Sequence, residues 1–166
     1  NLVKIYDSIM ELPLLKKVIL IGPDEEAFSR VEPEFKEKVE FLSRERLLEM
    51  EEMEVSAFVK NQVGEYPLYI SIDKDVLCET DADTNWSQGD MRLSTMLECL
   101  GAVKEKCAER ISRILGVDIC GECDVTEPGN SALNDMANAA LLEFFTSTDV
   151  GEDIEENKNG TTGGNG

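Results

Sequence analysis

The sequence predicts an α/β fold with a mostly parallel sheet. Short continuous apolar runs alternate with amphipathic helical stretches, the order that builds βαβ units. The runs also end abruptly on glycine or acidic residues, as strands do where they leave a buried sheet. At 166 residues the chain suits one domain, and its 42% apolar content is enough to bury a core.

Taken in order, Leu2, Ile5, Ile9 and Leu12 recur at helical spacing, so residues 1–15 read as a helix until Pro13 interferes. Lys16 to Gly22, KKVILIG, reads as a buried parallel strand, followed by a loop at Pro23–Glu26 that starts a short helix. Val39 to Leu42 is a second brief strand. Ser43 then caps a short acidic helix over Arg46 to Glu52, and the charge run Glu45 to Glu54 reads as a solvated face. Leu68 to Asp73 is the central strand. After the polar loop Glu79 to Gly89, a helix over Ser94 to Arg110 carries Met96, Leu97, Leu100, Val103, Cys107 and Ile111 as its apolar stripe. Ile114 to Ile119 is the next strand, and a last helix capped by Asn130 or Ser131 runs to Phe145. From residue 146 the composition turns to Gly, Asn, Thr and acids, so 146–166 reads as a disordered acidic, Gly-rich tail.

Thirty-five acidic residues against 16 basic give a net charge of −19. Such a surface repels phosphate backbones and anionic headgroups, which argues against nucleic-acid and membrane-surface roles. It suits metal ions or a small cationic substrate, and it leaves homo-oligomerisation open. No stretch has the length of a transmembrane helix. Five cysteines at non-framework spacings suggest reduced thiols and a cytoplasmic setting. With no histidine in the chain, the commonest general base and nitrogen ligand are absent.

The chemistry concentrates where the central strand ends. Asp73 and Asp75 stand two apart, so an extended backbone points both carboxylates to one side. A hard divalent cation between them is the simplest reason to tolerate the repulsion; a solvated acidic loop is the alternative. Glu122 and Asp124 also follow a strand end, and in parallel sheets ligands sit beyond the carboxyl ends. A calcium loop starting at Asp81 fails, because Trp86 stands at its glycine position and Arg92 at its bidentate-glutamate position. Cys120 and Cys123 form a lone CxxC, weak evidence for zinc without a partner pair.

KVILIGPDEEAF, YISIDKDVL and RILGVDICGECD, in this order, resemble strands of the C-terminal half of the arginase/agmatinase (ureohydrolase) family. The likeness covers roughly residues 14 to 145. It implies a three-layer αβα arrangement, here incomplete, with residues 1–145 forming the C-terminal part of that domain. It also implies a manganese-dependent hydrolase that cleaves a C–N bond in a guanidino or related amide compound through metal-activated water. Asp73 and Asp75 match the family's metal-bridging aspartates, and Thr84 and Gly89 match positions in the loop that follows. Glu122 is the nearest candidate for the acidic group on the substrate's cationic end. The family pattern places that group one residue earlier, at Gly121, so Glu122 needs a local bulge to serve. The loop after Asp75 lacks the family's prolines and centres on Trp86, where substrate preference is expected. The family's histidines and remaining aspartates have no counterpart, and the expectation is that the first half is missing. A non-catalytic protein of the same fold is the rival reading.

Overall fold

The computed structural model describes residues 12–85, 87–109, 112–122 and 131–147. The helix expected over 1–15 falls mostly outside them. Its described end is a turn, closed by Leu15 N–H donating to Leu12 O at 3.1 Å, with Leu14 85% exposed. Pro13 supplies no N–H and stops helical pairing there.

The first strand, β1 (Val18–Ile21), lies parallel to β2 (Val39–Leu42), in the register Val18 opposite Val39 and Ile21 opposite Leu42. Between them run α1 (Glu25–Ser29), capped by Asp24, and the single turn α2 (Pro33–Lys36), opened by proline at its first position. Phe28 of α1 stacks on Phe41 of β2, so one face of this pair is covered from its own connection. Ser43 caps the next helix as expected, accepting from Arg46 N at 3.2 Å, but α3 is only Arg44–Leu47.

The chain then re-enters a helix at Glu52. Here α4 (Glu52–Gln62) is held by a capping box, with Glu51 N–H donating to Glu54 at 2.9 Å. The stretch expected to be a solvated face is therefore partly a helix start that aims Val55 and Val59 into the core.

The second pair is β3 (Leu68–Asp73) with β4 (Ile114–Cys120), again parallel, with an irregularity between Leu68 and Tyr69. Between them α5 (Leu93–Ala108) buries Met96 and Leu100 of the expected stripe together with Cys99 and Ala102, while Leu97, Val103 and Cys107 are half-buried and Ile111 lies outside the described residues. The last helix, α6, spans Ser131–Thr146 and buries Ala137 and Leu141. Two clusters form the core. Ile72, Leu77, Met91, Met96, Leu100, Ala137 and Leu141 make one, and Leu42, Val55, Val59, Val63, Cys99 and Ala102 the other.

Every strand pairing among the described residues is parallel, in keeping with an α/β fold. Among the described residues the single sheet expected is instead two separate pairs, so β1 and β3 each have one strand partner there. The pleat puts Ile70, Ile72 and their β4 partner Val117 on the face that packs against α5 and α6. Tyr69 and Ser71 point the other way and are exposed, Tyr69 at 67%. Among the described residues β3–β4 is covered on one face only.

Candidate functional site

The two pairs meet at the carboxyl ends of their strands. Gly22 closes β1 with φ +103°, and a Cβ there would lie 2.0 Å from Val76 Cγ2, so glycine alone lets the two ends approach. Beside this contact lies a cavity of about 180 Å³, lined by Gly22, Arg44, Leu47, Val76, Asp90 and Met91. An ion pair between Arg44 and Asp90 ties α3 to the loop after β3.

At the end of β3 the chain turns at once into a short 3-10 turn, Lys74–Val76. Asp73 caps that turn, accepting from Asp75 N–H at 3.1 Å. The cap brings the two carboxylates to one strand end, but by a turn and not by the expected extended spacing, because the strand stops at Asp73 and Asp75 lies in the 3-10 turn. Among the described residues, the buried Asp75 Oδ1 has no hydrogen-bond partner. Burial first, and the charge of Asp73 second, push the Asp75 carboxyl above its usual value. Across the pair, Ser71 Oγ donates to Asp118 Oδ2 at 2.9 Å, while Asp118 Oδ1 is also buried without a partner among the described residues. Cys120 lies opposite Asp73 in register. Its thiol is pushed up by burial and then by Asp73, Asp118 and Asp75. An unpaired buried acceptor costs about 1–3 kcal/mol, and a bound cation would remove that cost. Asp73 and Asp75 are two oxygen donors of the kind a hard cation takes. Among the described residues no group of three or more His, Cys, Asp or Glu side chains is placed to hold a metal ion.

Glu122 follows Gly121, whose φ of +81° turns the chain out of β4. It arrives on the side of Lys74 rather than beside the aspartate pair. Lys74 is fully buried, and its ammonium donates to Glu122 Oε1 and, at 2.8 Å, to Asn138 Oδ1. Asn138 Nδ2 donates to the same Glu122 oxygen at 2.9 Å. The Lys74 hydrogen bond, then that of Asn138, holds the Glu122 carboxyl below its usual range. Sequence reasoning missed this network.

The loop after Val76 is fastened at several points. Leu77 bridges Met91, and Gln88 Nε2 donates to Leu77 O at 2.6 Å and Ala82 O at 3.2 Å. A Cβ on Gly89 would lie 2.0 Å from Val76 O, which explains glycine there by close packing. Asp81, the first acid of the failed calcium loop, accepts from Leu93 N–H at 2.8 Å and pairs with Arg92 at 2.9 Å. Burial acts to raise its carboxyl, but hydrogen bonds from Leu93 and Cys78 and the Arg92 charge hold it lower than usual. Buried Asn134 on α6 clasps Asp83, accepting from its N–H at 3.0 Å and donating to its carbonyl at 2.8 Å. Thr84 Oγ1 donates to Ser87 O at 3.1 Å, a contact within the loop. Trp86, Cys123, Asp124, the Asn130 cap and the tail beyond 147 lie outside the described residues.

No family model matches the chain. It is similar to an uncharacterized protein of Thermotoga maritima, 35% identical over 85 residues. The match takes in 50% of this chain and 32% of that protein, so the chain spans about a third of the relative's length. Among the described residues no helix is long and apolar enough to cross a membrane.

Proposed function

We propose that this chain is the C-terminal part of an arginase-like, manganese-dependent hydrolase acting on a C–N bond of a guanidino or related amide compound. The observation that carries the reading is the pairing of Asp73 with Asp75 at a parallel strand end, where Asp75 Oδ1 is buried without a partner. A carboxylate held like this is a poor structural element and a good metal ligand. When bound, the metal pair would supply Lewis acidity and an activated water. The chain's own part is to fix two carboxylates. Asp73 is held by the Asp75 backbone, and the following loop is anchored by Gln88, Asp81 and Asn134.

The strand edges left on β1 and β3 among the described residues, and the Tyr69 face they leave uncovered, support a larger three-layer fold. The remaining ligands would come from the rest of that fold. A non-catalytic protein of this fold is the alternative. Thermal melting of the complete protein separates the two. Manganese raises the midpoint if the first reading holds, and Asp73→Asn or Asp75→Asn removes the rise. A midpoint indifferent to manganese would refute the enzyme reading.

A further inference from the structure

Lys74 stands between Asp73 and Asp75 in the 3-10 turn, and its side chain is fully buried. Burying an ammonium is costly unless it is paired and hydrogen-bonded. Among the described residues it meets Glu122 Oε1, just past β4, and Asn138 Oδ1 at 2.8 Å, on α6. Asn138 Nδ2 donates to the same Glu122 oxygen at 2.9 Å, so the three groups close a triangle. The two partners lie 48 and 64 residues further along the chain. One side chain therefore ties the end of β3 to the end of β4 and to the last helix.

The turn is held from a second side as well. A Cβ on Gly121 would lie 2.7 Å from both Asp73 Oδ1 and Lys74 N, and 3.0 Å from Asp75 N, so the backbone leaving β4 rests on the cap of the turn. Filling the core does not call for lysine at this position. Replacing a buried ion pair by an apolar side chain of similar size is often neutral or stabilising, and Glu122, with its side chain 56% exposed, could return to water. What the ammonium adds is direction. Its hydrogen bonds fix where the turn sits, whereas a thioether has no bond to satisfy and leaves the turn free to shift.

We propose that Lys74 is the positioning residue of the aspartate pair: anchored by Glu122 and Asn138, it fixes the turn in which Asp73 caps Asp75, and so sets both carboxylates for a hard divalent cation. The inference rests on the metal reading of Asp73 and Asp75, and adds to it a supporting network that reaches α6. Groups that orient metal ligands from behind change metal affinity by about 10–100-fold when they are removed.

The test is amide hydrogen exchange on the metal-free complete protein, followed by calorimetric titration with manganese, for wild type, Lys74→Met and Asn138→Ala. Two amides report on the turn: Asp75 N–H, which donates to Asp73 Oδ1, and Leu77 N–H, which donates to Lys74 O at 2.9 Å. In Lys74→Met both are expected to exchange at least about tenfold faster, while Leu100 in the middle of α5 keeps its wild-type rate. Manganese affinity is expected to fall at least about tenfold in the same variant. Asn138→Ala, on α6 and away from the turn, should move both readouts in the same direction, and it carries the test if Lys74→Met does not fold. Wild-type rates at Asp75 and Leu77 in a folded variant overturn the proposal, as does equal acceleration at Leu100, the mark of general destabilisation. Faster exchange at the turn with unchanged manganese affinity overturns it too, and leaves the network a structural tie. Failure of wild type to take up manganese is a separate result, and removes the metal reading together with this role.

Discussion

Asp75→Asn should stabilise the metal-free protein while abolishing its response to manganese. The native carboxylate is part-buried, faces Asp73 and leaves Oδ1 unpaired, all of which disfavour its charged form. The amide is nearly isosteric, removes the like charge and brings an N–H₂ donor that the Asp73 carboxylate can accept. An unsatisfied buried acceptor costs about 1–3 kcal/mol, and the amide carbonyl keeps part of that cost, so a gain of about 1 kcal/mol is expected. For a chain of this size that corresponds to a rise of about 2–4 °C in melting midpoint. The pH dependence has a definite sign. A carboxyl raised in the fold binds more protons folded than unfolded, so its contribution to stability falls as pH rises from about 3.8 toward the raised value. The Asp75→Asn protein should lack that decline, and the gap between variant and wild type should open with pH over this window. The assay is scanning calorimetry with a chelator and then with manganese. A lower metal-free midpoint for the variant, or a manganese-induced rise that survives the substitution, would refute the reasoning.

Three further outcomes follow from the packing. Leu141→Ala, at a side chain with 0% exposure, should cost about 2–5 kcal/mol in denaturant unfolding, because a full cavity opens between α6 and the β3 face. Asn134→Ala leaves the N–H and C=O of Asp83 without their side-chain partner. It should cost about 1–3 kcal/mol and speed amide exchange over 81–85 ahead of the core strands. Cys99 is 8% exposed, with its thiol pushed up to about 12, so it should resist thiol reagents until the protein unfolds, whereas exposed Cys120 should react in the native state.

Strands and the long helix α5 were legible because their signals are local. Tyr69–Ile72 alternates and stops at an acid, and Met96, Leu100 and Val103 repeat at helical spacing. The same periodicity placed the last helix within a residue of Ser131–Thr146. α4 was not legible, because Val55 and Val59 are the few buried apolar positions of a helix that begins among glutamates. Only the Glu51–Glu54 capping box, a contact made by the folded backbone, separates its start from a solvated charge run. At the site, the two acids are visible in the sequence, but what brings Asp73 and Asp75 together is the 3-10 turn that Asp73 caps, not an extended strand. The fate of Glu122 is not visible there, since it depends on a left-handed Gly121 and on Asn138, 16 residues further along the chain. Sheet continuity is likewise a long-range property, and the two parallel pairs are joined by close packing at Gly22 and Val76 rather than by a shared ladder.

The most direct measurement is a manganese titration of the complete protein followed by electron paramagnetic resonance, with wild type beside Asp73→Asn and Asp75→Asn. The account predicts loss of the free-ion signal on binding to wild type, and affinity at least about tenfold weaker in each variant, as expected when a charged ligand is removed. A free-ion signal that wild type leaves untouched, or binding that neither substitution weakens, would contradict it.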